Sequence, residues 1–293
     1  MASPSGASTG LRWQGAKTFA ARLPWLAIIL LLPVVVCGVF GPLLYPHDPT
    51  AANMMAPRQP PAWLARGEWT YLLGTDQFGR DLLSRLIEGA RIALIVAVTG
   101  VFAAGVIGVA AGMCAGYFQG KIDDAIMRLV DIKMSIPPVL LIILIGSALG
   151  GGLTTVVLSI VFVFWADYAR VIRGETLVLR ERGFVAYARS AGSSNFAILL
   201  RHILPNVAPT CIVLVTLQLG RALIIEASIT FLGIGIQPPA SAWGLLIAEG
   251  RNYLASAWWI STFAGIAITM TVLGVNLLGD WLRDRLDPKL RNQ

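Results

Sequence analysis

Side chains able to do chemistry are scarce in this sequence, and most of them stand alone. Cys37, Cys114 and Cys211 each lie inside an apolar stretch, where a thiol behaves as a small hydrophobe, so neither a disulfide framework nor a thiolate metal site is expected. His47 and His202 are far apart and lack carboxylate or thiol neighbours at ligand spacing. The segment Gly116 to Lys121, GYFQGK, has three residues between its glycines instead of four. It is followed by Ile122 where a phosphate loop needs Ser or Thr. Gly6 to Gly10, GASTG, spells Gly-x-Ser-x-Gly, but it sits in a Ser/Gly/Ala-rich stretch with no apolar strand pattern before it and so is not read as a nucleophile elbow. There is no His-Glu-x-x-His pair or dinucleotide fingerprint. No catalytic residue, resident cofactor or metal site is expected in this chain, and it is read as no enzyme by itself.

What remains is chemistry of binding and attachment. Arg221 and Glu226 lie within one apolar run, where ionisable groups are costly and often line a solute path. Their five-residue separation puts them about 140° apart on an ideal helix, so they pair poorly with each other. The second feature is a basic insert, Arg170 to Asn206, between two apolar stretches. Within it Phe184, Tyr187, Ala188 and Ala191 recur at helical spacing, with Arg180, Arg182 and Arg189 interspersed. Gly192 suits a helix C-terminal turn, and Ser193, Ser194 or Asn195 can cap the helix that follows. The pattern predicts a helix, a tight elbow, and a second helix leading through Pro205. Such a module fits a cytoplasmic docking element or a helix lying on anionic lipid headgroups. A DNA-reading motif tethered at both ends to a bilayer fits poorly, so no nucleic acid is expected.

The elements that position these residues are membrane spans. Of 293 residues 56% are hydrophobic and only 13% charged, against about one quarter charged in soluble domains. An uncharged run of 23 residues, Leu23 to Tyr45, is long enough to cross a bilayer and too long for a signal peptide. A second span is expected over Ile92 to Phe118. The 33-residue run from Met134 to Ala166 would be about 50 Å as one helix, too long for the bilayer. Gly150-Gly151-Gly152 divides it, so the third span begins near Ala125 and the fourth covers Leu153 to Ile172. The fifth and sixth are expected at Leu204 to Gly233 and Trp258 to Gly279.

With the N-terminus inside, 16 Lys and Arg fall in the inner segments and 6 in the outer ones. The positive-inside rule therefore predicts an all-α polytopic protein of six transmembrane helices with both termini cytoplasmic. The division is residues 1–22, a cytoplasmic segment; 23–45, the first span; 46–91, an extracytoplasmic segment; 92–280, the remaining spans with a cytoplasmic loop at 173–203; and 281–293, a cytoplasmic tail. The net charge of +7 is then a matter of topology. Gly100, Ala104, Gly108, Gly112, Gly116 and Gly120 recur every four residues, allowing close helix approach within the chain or against a sister subunit. Asp167 is expected to pair with Arg170 three residues on. Trp243, Trp258 and Trp259 are expected as interfacial anchors, and the 46–91 segment as a stabilising cap.

The insert resembles the EAA loop of ABC-importer permeases, whose pattern is Glu-Ala-Ala, three residues, Gly, nine residues, Ile, one residue, Leu-Pro. Ala188, Gly192, Leu204 and Pro205 match, while Ala186, Tyr187 and His202 depart from it. LGTDQFGRDLLSRLIEGAR (Leu73 to Arg91), FLGIGIQPPASAWG (Phe231 to Gly244), NLLGDWLRDRLDPKLR (Asn276 to Arg291) and YPHDP (Tyr45 to Pro49) resemble segments of dipeptide and oligopeptide importer permeases, in order along the chain. The resemblance implies a type I ABC-importer permease fold in a bacterial cytoplasmic membrane. It implies a homologous second permease, two ABC ATPase subunits that bind ATP and Mg, and an extracytoplasmic solute-binding protein. It also implies a coupling role for Phe184, Ala186, Tyr187, Ala188, Arg189, Gly192, Ser193, Leu204 and Pro205. The implied cargo is a di- or oligopeptide; nickel chelates, opines and sugar-derived solutes are the alternatives within the class. Outside it stand an ion-coupled transporter, which would need more mid-span carboxylates than Glu226, and a membrane scaffold.

Overall fold

A computed structural model describes residues 24–286, and these are helical apart from connecting coil and one isolated bridge between Thr75 and Asp81. Expectations for residues 1–22 and for the tail beyond Leu286 lie outside the described residues. In chain order the helices are α1 (Trp25–Leu44), α2 (Leu82–Phe118), α3 (Gly120–Ser135), α4 (Pro138–Leu149), α5 (Leu153–Arg180), α6 (Gly183–Ser190), α7 (Asn195–Ile198), α8 (Leu204–Phe231), α9 (Trp243–Gly250) and α10 (Trp259–Leu286). A π-helical turn, Leu199–Ile203, joins α7 to α8. Five helical stretches are long and apolar enough to cross a membrane, or six if the bent pair α3–α4 is one span.

Two spans differ from expectation. α2 starts ten residues before Ile92, because Asp81 accepts a hydrogen bond from the Ser84 amide and caps it. At 37 residues it is about 55 Å long and outruns the hydrocarbon core. The third span is not one helix: α3 and α4 meet at 92°. Pro137 and Pro138 cause the break, since proline has no N–H to donate and pushes the residue before it into extended backbone. Ile136 is extended, at φ −91° and ψ 124°. The break at Gly150 to Gly152 falls as expected, with Gly150 at φ +80°.

The small-residue stripe of α2 is packed against α5 within this chain. A Cβ on Gly108 would lie 2.3 Å from the Trp165 carbonyl oxygen, and one on Gly112 2.6 Å from that of Ala169. Gly120 lies beyond the helix end and takes no part. α3 is held to α5 by ion pairs, with Arg173 donating to both Asp123 oxygens (2.6 Å for Nη2 to Oδ2) and Arg170 to Asp131. The expected Asp167–Arg170 pair is therefore replaced. α5 lies against α3 and α8, so cross-helix partners outcompete the neighbour on its own helix.

Residues 46–81 form a coil folded over one end of the bundle, and its polar core was not foreseen. Arg85 donates to Asp76, to Glu249 of α9 (2.7 Å) and to Ser241 (2.9 Å), while Arg80 spans the same two carboxylates. Trp243 and Trp259, expected at the membrane interface, are buried, their indole N–H groups donating to the Leu86 and Thr75 carbonyls. Only Trp258 is well exposed among the three.

Candidate functional site

The basic insert folds as the sequence predicts, and its turn chemistry is local. α6 ends in a Schellman motif: Ser193 N–H donates to the Ala188 carbonyl and Gly192 N–H to that of Arg189, both at 3.1 Å. Gly192 sits at φ +80°, and no atom lies within 4 Å of where its Cβ would be. Glycine is thus demanded by backbone conformation, not by lack of room. Of the three capping candidates Ser194 acts, accepting from the Ala197 amide at 3.2 Å. The helix α5 extends to Arg180, eight residues past the expected end of the fourth span, as Thr176 is buried and Arg180 donates to the Tyr117 carbonyl.

The elbow is clamped to the spans on one face and open on the other. Val185 and Ala188 pack with Met113 and Tyr117 of α2, Ile172 of α5, and Ile198 and Ile203 beyond the turn. Tyr117 is a hub: its hydroxyl donates to Asn195 at 2.9 Å, and the Arg189 guanidinium lies 5.6 Å from its ring. On the open face Phe184, Tyr187, Ala188, Ala191, Ser193 and His202 line one recess. Tyr187 is 78% exposed and Phe184 42%. Ala186 points away from that recess and is exposed, Leu204 packs half-buried on the inner cluster, and Pro205 is exposed near the start of α8. The π turn next to Pro205 has Leu204 donating to Leu199, a wider register that accommodates a residue with no N–H.

The site thus presents two aromatic side chains on the short helix α6, with His202 of the π turn beside them, and both elements pack against α2, α5 and α8. Val185, Ile198, Ile203 and Tyr117 hold it, and sequence reasoning missed all four as anchors. Val185 and Ala188 carried a signal, their three-residue spacing. Tyr117 carried none, since its partners are 63 and 78 residues away.

The two pathway candidates separate. Arg221 lies on an open groove with 57% of its side chain exposed, donating through Nη1 to Asp167 (3.2 Å) and Gln218 (3.1 Å). Glu226 is instead buried at 2% exposure, accepts from the Thr230 hydroxyl at 3.0 Å, and faces neither Arg221 nor the groove. The reason is helical phase: on α8 the two point to different sides.

Comparison with known proteins gives one pattern. A family model described as "Binding-protein-dependent transport system inner membrane component" matches residues 106–292. A di/tripeptide transport system permease protein of Pseudomonas aeruginosa, DppC, is 38% identical over 96% of this chain and 92% of its own. A probable D,D-dipeptide transport system permease protein of Escherichia coli, DdpC, is 38% identical over 95% and 93%. A glutathione transport system permease protein of Pectobacterium atrosepticum, GsiD, is 40% identical over 75% and 73%. Among solved structures, a chain of the MetNI methionine ABC transporter in an inward-facing conformation superposes with a TM-score of 0.58. It covers 70% of this chain and 98% of its own at 18% identity, a likeness of fold.

Proposed function

Because the chain belongs to the family of binding-protein-dependent transport system inner membrane components, we propose that it forms half of the path by which an ABC importer moves di- or oligopeptides. It is a multi-pass inner-membrane permease subunit. On this reading an extracytoplasmic binding protein delivers the solute, a homologous second permease supplies the other half of the path, and two ATPase subunits bind ATP and Mg. Both ends of the chain lie in the cytoplasm.

The observation that carries the reading is the elbow. A force on Phe184, Tyr187 and Gly192 from a moving ATPase subunit would pass to α2, α5 and α8 through Val185, Ala188 and Ile198, which are packed among them. A floppy tether would dissipate that displacement. Exposed aromatics beside a glycine turn suit seating in a protein groove, with Arg189 at its rim. Ala186 stands where the family pattern has Glu, so apolar contact and turn geometry carry the docking here.

The test is uptake by the four-subunit complex in vesicles with its binding protein. Peptide uptake should need ATP and stop when hydrolysis is blocked by a mutation in the ATPase subunits alone. Uptake by this chain alone, driven by an ion gradient, would overturn the assignment.

A further inference from the structure

Arg221 lies about 15 Å of helical rise from the end of α8 at Phe231, and Asp167 about 21 Å from the start of α5 at Leu153. Both depths fall within a hydrocarbon core about 30 Å thick. A guanidinium more than half exposed at that depth cannot face lipid tails at acceptable cost. Its open side must therefore face water or another polar surface.

The surroundings say which kind of ligand that side accepts. Arg221 borders a groove of about 330 Å3 between α5 and α8, shared with Met134, Asp167, Arg170 and Gln218. This is within the range of small-ligand pockets, roughly 300–1,000 Å3. Three cations, Lys133, Arg170 and Arg221, stand there against two carboxylates, Asp131 and Asp167, so one positive charge is in excess. Both hydrogen bonds of Arg221 use Nη1, and the Phe164 ring lies 5.2 Å from the guanidinium carbon. Its Nε and Nη2 have no protein partner among the described residues. That edge is the one that grips a carboxylate side-on with two parallel hydrogen bonds.

We propose that Arg221 is a carboxylate-binding residue in a water-filled groove of the translocation path, anchored by Asp167 and Gln218, through which the carboxylate of a passing solute is held. The inference rests on the importer reading and deepens it. This chain offers the solute's anionic end a partner, while its buried Glu226 offers the ammonium end none.

The test probes the groove directly in the full transporter. Leu217→Cys, which lines the groove beside Arg221, is reacted with a sulfonate-bearing and with a trimethylammonium-bearing methanethiosulfonate of similar size. The parent protein supplies the background of Cys37, Cys114 and Cys211. Relative to their rates with a free thiol in solution, the anionic reagent should react about tenfold faster than the cationic one, and Arg221→Gln should bring that normalised ratio near one. Val171→Cys, on the α5 wall of the groove, repeats the measurement should the first variant fail to assemble. No reaction with either reagent at either cysteine, or a preference unchanged by Arg221→Gln, overturns the proposal.

Uptake supplies the second arm. Peptide uptake should fall roughly tenfold or more in Arg221→Gln, with Arg221→Lys intermediate because it keeps charge without the fork. Unchanged peptide uptake in Arg221→Gln overturns the proposal. If the wild-type complex imports no peptide yet the anion preference holds, the peptide reading falls and the carboxylate groove stands.

Discussion

At φ +80° Gly192 occupies the left-handed region, which costs a residue bearing a Cβ about 1–2 kcal/mol, while the space around it is empty. Gly192→Val should therefore disturb the elbow without disturbing the bundle. Expected are normal membrane insertion, weaker ATPase co-purification, and loss of uptake; normal complex formation with normal solute-stimulated ATP hydrolysis would remove the coupling role. Arg85 is the opposite case, wholly buried, with its charge matched by Asp76 and Glu249. Removing one member of such a network leaves an uncompensated buried charge, at a cost of about 3–5 kcal/mol. Arg85→Met should lower the thermal unfolding midpoint of the detergent-purified complex markedly, and a midpoint equal to wild type would show that the network is not holding the cap. Gly192 was legible in the sequence because a helix stop, a positive φ and a following serine cap are all local. Arg85 was not, because Glu249 is 164 residues away and no pattern announces a long-range ion pair.

Among the elements, α2 and α5 depend on close approach. At Gly108 an added Cβ would meet backbone, the Trp165 carbonyl, which cannot swing aside. Gly108→Val should separate the helices and destabilise the chain by about 1–3 kcal/mol, read as a lower unfolding midpoint and greater protease sensitivity. An exposed position on the same helix, Phe102→Ala, should show a far smaller effect in the isolated chain. The four-residue stripe was visible in the sequence, but its partner was not, since the same spacing serves a neighbour within the chain or in another subunit. The broken third span was half visible: a double proline sits at its centre, yet the uncharged run around it read as continuous. The ion pairs of α3 explain why a helix with Asp123, Asp131 and Lys133 can lie against a span at all.

For the whole molecule, the excess of Lys and Arg in alternate segments predicts an orientation that is directly measurable. A reporter active only outside the cytoplasm should be silent when fused at the C-terminus and active when inserted near Arg66, in the coil over the bundle; the reverse pattern would invert the topology. That orientation would place the Gly192 elbow with the ATPase subunits and the Asp76–Arg85–Glu249 network at the far end of the bundle, beside the binding protein. Sequence alone determined the helical membrane class, the glycine division after the third span and the elbow, because hydrophobic run length, helix breakers and turn residues act within a few residues of one another. Tertiary structure decided that Trp243 and Trp259 are buried, that Asp167 pairs with Arg221, and that Arg221 rather than Glu226 faces the groove. Those outcomes depend on which helix faces come together, and helical phase sets that only once the bundle is packed.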